Sequence, residues 1–296
     1  MKIYRLPLGQ WVNVGVDWLL KNYGHTFDLF SNGVKSFIDQ FKTGLTVLPW
    51  WLILAVFVVI AWKVSGWRLA VGTGLGLILI FDLGLWPAFL DTLVLVIFSA
   101  LVSIFIGVPL GILAARSNNF HRIFTPLLDF MQTMPSFVYL IPALMFFGLG
   151  TVPAIFATVI FAMPPVTRLT DLGIRQVPVE LIEVGEAFGS TPRQMLWKIQ
   201  LPIALPTIMA GINQTLMLSL SMVVISAMIG AEGFGAGVLQ GISQMDIGKG
   251  FENGLAVVIL AMVLDRMSQG IIKRGAAGAG KRRPRSLAKD SVDSVD

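Results

Sequence analysis

Between Asp91 and Arg116 the chain reads DTLVLVIFSALVSIFIGVPLGILAAR, with no charged residue between the two ends. About 20 predominantly apolar residues wound as a helix match the hydrocarbon core of a bilayer, so a run of this length and purity specifies a membrane-crossing helix. Comparable windows recur along the 296 residues. The chain is 55% hydrophobic and 13% charged, with a mean hydropathy of +0.77, well outside the balance of a soluble domain. Long unbroken runs fit helices, whereas a membrane barrel would need segments of about 10 residues alternating in polarity. The expected fold class is an all-α integral membrane protein, a polytopic helical bundle.

Seven crossings are expected, over residues 45–62, 68–86, 91–115, 127–147, 151–168, 203–229 and 252–271. Trp50, Trp51, Trp62, Trp67 and Trp86 fall at the ends of the first two, as interfacial anchors do. Lys63, Arg68, Arg116, Arg122, Arg168, Arg175, Arg193, Lys198 and a basic tail lie on one side, and almost only Lys249 on the other. The positive-inside rule makes the first side cytoplasmic, with the C-terminus inside and the N-terminus outside. Residues 1–44 then form an amphipathic extracytoplasmic tail in which WVNVGVDWLLKNYG and GVKSFIDQF can lie along the surface, although Lys2, Arg5, Lys21, Lys35 and Lys42 make it basic. The opening residues are too mixed for a signal peptide, so insertion is expected to rely on the spans. Residues 272–296 lack the apolar content to fold and form a disordered basic tail suited to anionic lipid headgroups.

Little chemistry is available to such a chain. There is no cysteine, no GxxxxGK[ST] phosphate loop, and only His25 and His121 to serve as imidazole ligands, so a metal site, a thiol nucleophile and an ATP site of the P-loop kind are not expected. No serine within a span has a partner histidine, and no catalytic residue is assigned. VGTGLGLILI, Val71 to Ile80, is a helix-packing face rather than a nucleotide loop. Asp91 and Asp129 fall in expected first turns and Arg116, Arg168 and Arg266 in expected last turns, where helix dipoles favour them. No expected span has an acid at its centre, where a charge costs roughly 2.5 to 3.5 kcal/mol, so proton-driven transport is disfavoured.

The sixth span is the most polar. Thr215, Ser219, Met222 and Ser226 share one helical face, with Asn213 and Gln214 a turn earlier. That face either glues helices together or lines a translocation path. Pro109, Pro135, Pro142, Pro164, Pro165 and Pro206 mark bends or hinges.

The most informative segment is the polar loop between the fifth and sixth spans, residues 169–202. Pro178 can open a helix that runs through VELIEVGEAF and ends at Gly189 in a left-handed cap. Thr191-Pro192-Arg193-Gln194 fits a capping box that starts a second helix. Leu181, Ile182, Val184 and Phe188, with Met195, Leu196 and Ile199, give each helix an apolar side. Two short helices around a turn also describe a DNA reader, but the first is acidic and both ends run into lipid, so nucleic acid is not an expected partner.

Glu183, Gly189, Ile199, Leu201 and Pro202 keep the spacing of the cytoplasmic EAA loop of ABC importer permeases, with Val184 and Gly185 where that family has two alanines. MQTMPSFVYLIPALMFFGLG, PPVTRLTDLGIRQVP, STPRQMLWKIQLPIALPTIMAGINQTLMLSLSMVVI and LDRMSQG extend the match, and the chain resembles the glycine betaine, proline betaine and choline permeases over residues 89–270. The apolar runs give two N-terminal membrane helices in 45–86, and the resemblance implies a type I importer fold with a permease core in 87–271. It further implies a bacterial inner-membrane subunit that pairs with a second permease copy, two ATPase subunits that bind the ATP, and an extracytoplasmic solute-binding protein. Glu183, Glu186, Ala187, Gly189, Ser190, Pro192, Arg193, Leu201 and Pro202 would then form the coupling loop that meets the ATPase. An ABC importer permease for another small solute, an ATP-independent channel and a membrane enzyme are the competing readings.

Overall fold

Prolines and glycines cut the apolar runs into helices of very different length. The computed structural model describes residues 7–280, and all regular structure among them is helical. Four stretches are long and apolar enough to cross a bilayer unaided: Trp86–Arg116, Thr151–Arg175, Pro192–Ile229 and Ile247–Ile271. They contain α4 (Trp86–Arg116), α7 (Thr151–Arg175), α10 (Leu201–Ser226) and most of α12 (Ile247–Gly280).

Ahead of them, α2 (Trp50–Ser65) and α3 (Trp67–Asp82) form an antiparallel hairpin around Gly66, whose φ of 95° suits glycine. Each has 16 residues, about 24 Å of helix, somewhat less than the roughly 30 Å of a hydrocarbon core. The expected 127–147 span is a broken pair. α5 (Asn118–Thr133) stops at Met134, whose ψ of 135° is the extended setting imposed by Pro135. The chain resumes as a 3-10 turn and α6 (Leu140–Phe147), bent by 107° from α5. All seven expected crossings thus have a helical counterpart.

Three expectations change. The N-terminal pieces are one 40-residue helix, α1 (Leu8–Val47), bent by 97° from α2 at Leu48-Pro49. Of the charges expected at helix ends only Arg116 is in a last turn: Asp91 is the sixth residue of α4, Arg266 lies inside α12, and, because α5 begins at Asn118 and α7 runs on to Arg175, Asp129 lies towards the end of α5 and Arg168 inside α7, their side chains pairing across the two helices. Asp265 of α12, six residues before Ile271, accepts from Asn213 Nδ2 of α10 at 3.1 Å and from Gln269 Nε2 at 2.8 and 2.9 Å. α12 continues to Gly280, into the segment expected to be disordered, and the rest of that tail, 281–296, lies outside the described residues.

Lipid gives apolar faces no strong reason to associate, so close backbone approach and interhelical hydrogen bonds hold the bundle. α7 lies between α4 and α10. A Cβ on Gly111 of α4 would come within 2.5 Å of the Thr167 carbonyl oxygen, and one on Gly211 of α10 within 2.9 Å of Val166 Cα. Ser103 donates to the Val159 carbonyl at 3.3 Å, and Thr215 to the Ala162 carbonyl at 2.9 Å. Two of the three α3 glycines serve packing as expected, Gly76 against Ile259 of α12 and Gly74 against Val58 of α2, while Gly72 faces open space.

At the end opposite the basic loops, the glycine-rich segment after α10 is ordered as α11 (Phe234–Gln244), and the Phe234 N–H donates to Thr92 Oγ1 at 2.9 Å. Nearby, Lys42 of α1 bridges Asp91 at 2.5 Å and Glu232 at 2.8 Å, clasping α1 to α4 and to the turn before α11.

Candidate functional site

The polar loop is built as its punctuation indicates. α8 (Val179–Ala187) starts after Pro178 and ends at Gly189, whose φ of 72° lets the Ser190 N–H reach the Gly185 carbonyl at 3.0 Å. Thr191 caps α9 (Pro192–Met195): Gln194 N–H donates to Thr191 Oγ1 at 3.3 Å, and Thr191 N–H donates to Gln194 Oε1 at 2.9 Å.

The second loop helix does not end inside the loop. α9 passes through a π-helical turn, Leu196–Gln200, straight into α10, so Pro192–Ile229 is one 38-residue stretch. Leu201, half-buried, and Pro202, exposed, belong to the first turn of α10 rather than to a separate hinge.

Inside the loop, Met195 and Leu196 are buried and Ile199 is half-buried. A Cβ on Gly185 would lie 2.6 Å from Met195 Cε and 2.8 Å from Ile199 Cδ1, which explains a glycine at this departure from the alanine pattern. Of the apolar side expected on the first helix, only Ile182 turns inward. Leu181, Val184 and Phe188 are exposed, Phe188 to 87%, and Trp197 is 64% exposed on the second helix. Glu183, Glu186, Ala187, Gly189, Pro192 and Arg193 are exposed around them, and Ser190 is half-buried. The result is an apolar tip ringed by charge, the usual composition of a partner-binding surface. Phe188, which the sequence groups with the apolar side of the first helix, is more exposed than Leu181, Val184 or Trp197.

The polar face of α10 is distributed differently. Thr215, Ser219, Met222 and Ser226 are buried, Thr215 against α7, and Asn213 is engaged with Asp265. Gln214 faces outward, in line with exposed Ser221 two turns further on. In this conformation the six residues do not converge on one open passage.

A sheetless bundle of bent and straight membrane helices, with a rigid polar loop continuous with one of them, defines a polytopic permease. Residues 107–274 match the family described as binding-protein-dependent transport system inner membrane component. The glycine betaine transport system permease protein OpuAB of Bacillus subtilis is 49% identical over 94% of this chain and 99% of its own length. The glycine betaine/proline betaine permease ProW of Escherichia coli is 48% identical over 94% of this chain and 78% of its own, and the glycine betaine/carnitine permease GbuB of Listeria monocytogenes 48% over 91% and 96%. The fold is shared with the inward-facing MetNI methionine ABC transporter, at a TM-score of 0.59 and 22% identity over 62% of this chain and 93% of that one. The chain belongs to the family of binding-protein-dependent transport permeases, as a multi-pass membrane component.

Proposed function

We propose that this chain is the transmembrane subunit of an ATP-driven importer for glycine betaine, proline betaine or choline-type osmolytes, driven through the 169–202 loop. The observation that carries the proposal is the loop tip: Phe188 stands 87% exposed beside a left-handed Gly189, on a helix pair continuous with α10. An apolar, charge-ringed tip left exposed among the described residues fits a cleft of an ATPase subunit, and a stiff helix passes that subunit's closure into the membrane. The names of the relatives above support the substrate class.

The complex we infer contains two copies of this permease, two ATPase subunits that bind the ATP and an extracytoplasmic solute-binding protein, all in a bacterial inner membrane. Its C-terminus is cytoplasmic, on the side of Arg116, Arg175 and Arg193. For the translocation path we propose the outward stripe of α10 with Gln214, facing the second copy. Asn213, Thr215, Ser219, Met222 and Ser226 reach solute only in a state where α10 separates from α7 and α12.

The test is uptake of labelled glycine betaine into vesicles containing the permease, its ATPase and its binding protein. Accumulation that requires ATP and the binding protein is the expected result. Equilibration without ATP would make the chain a channel.

A further inference from the structure

At the base of the loop the last turns of α7 carry a polar cluster that the loop's own caps do not use. Asp171 is only 7% exposed. Its Oδ1 accepts from Arg175 Nε at 2.8 Å, and its Oδ2 lies 2.6 Å from His121 Nδ1 at the start of α5. Arg175 donates further to Asn118 Oδ1 of α5 at 2.9 Å and to the Ala114 carbonyl at the end of α4 at 2.7 Å. Three helix ends therefore meet on one carboxylate and one guanidinium.

A carboxylate this enclosed depends on its partners, because an unpaired buried charge is strongly unfavourable. When the end of α7 shifts, the start of α5 must follow or Asp171 loses His121. Only Gln176 and Val177 separate Arg175 from Pro178, where the loop's first helix opens, so the cluster sits directly at the loop's entry. α5 in turn leads to the 107° break at Met134-Pro135.

We propose that Asp171 and Arg175 of α7, with His121 and Asn118 of α5, form the joint that carries displacement of the coupling loop into the broken α5–α6 segment. They are positioning residues, touching neither solute nor ATPase. The proposal rests on the coupling role inferred above for the loop. With the joint cut, the loop still docks and ATP is still hydrolysed, but the motion is absorbed between α7 and α5 and less solute moves per ATP.

The test uses the complete importer in vesicles, with ATPase copurification, ATP hydrolysis and solute uptake measured on the same preparations. His121→Gln and Asn118→Ala cut the α5 side while leaving the Asp171–Arg175 pair intact, and both side chains are open enough to solvent for the chain to fold. Asp171→Asn and the double variant His121→Gln/Asp171→Asn complete the set. Expected are wild-type copurification and hydrolysis, with uptake per ATP lowered about three- to tenfold in each single variant. The double variant is no worse than Asp171→Asn alone, because both changes cut one joint. A wild-type ratio of uptake to ATP in His121→Gln and Asn118→Ala would overturn the proposal, as would losses that track the amount of assembled complex. Gly189→Val is the control. If it leaves copurification and uptake intact, the loop's coupling role fails; if it impairs them while the α5 variants keep the wild-type ratio, only the joint fails.

Discussion

Gly189 separates two explanations of why the loop works. Its φ is 72°, and a Cβ placed on it would meet no atom within 4 Å, so a substitution there is resisted by backbone conformation and not by crowding. A non-glycine residue in the left-handed region costs about 1–2 kcal/mol, less for Asn and more for a β-branched residue. That is about a 5- to 30-fold shift against the docked geometry of the turn, and it sets the expected loss of apparent ATPase affinity. The series Gly189→Asn, Gly189→Ala and Gly189→Val should thus bind progressively more weakly, with Asn near wild type although it is larger than Ala. Titrating purified ATPase onto detergent-solubilised permease gives the affinities, and vesicle uptake should follow the same order. Equal damage from Asn and Val would show that the turn is spoiled by size, and a Val variant undamaged in both binding and uptake would overturn the loop's coupling role.

Three other perturbations test different parts of the molecule. Phe188→Ala should leave thermal unfolding of the isolated permease unchanged, since the side chain is 87% exposed, yet weaken ATPase binding by about 2 kcal/mol if Phe188 is an anchor. Gly111→Val should lower the melting temperature in detergent by the equivalent of about 1–3 kcal/mol, because the Thr167 backbone carbonyl 2.5 Å from a Cβ cannot move aside as a side chain could. Lys42→Ala should destabilise by an amount between the ~1 kcal/mol of an exposed pair and the ~3 kcal/mol of a buried one, since Asp91 is mostly covered and Glu232 mostly exposed. Raising salt should narrow the gap between Lys42→Ala and wild type; a gap unaffected by salt would remove the electrostatic account of the clasp.

Local chemistry was legible before any coordinates. Gly189 and the Thr191 capping box lie where the loop's punctuation puts them, because a left-handed cap and a hydroxyl-to-amide bond are decided within four residues. The break at Pro135 was marked by its proline, although the size of the bend was not. The direction of the first helix's apolar side was not legible: Leu181, Val184 and Phe188 share one helical face, and only the packing of α8 on Met195 and Ile199 through Gly185 shows that this face points outward.

What the sequence determined by itself is the solvent and the secondary structure: apolar run length fixes a helix in lipid, and capping residues fix where the polar loop folds. Only the tertiary structure decided which polar groups meet, Asp129 with Arg168, Asp171 with His121, Asn213 with Asp265. These partners lie 39, 50 and 52 residues apart. The physical reason is that a soluble helix announces its buried face by polarity, whereas a membrane helix is apolar all round. Which face packs is settled by small residues and hydrogen bonds formed only once the helices have crossed.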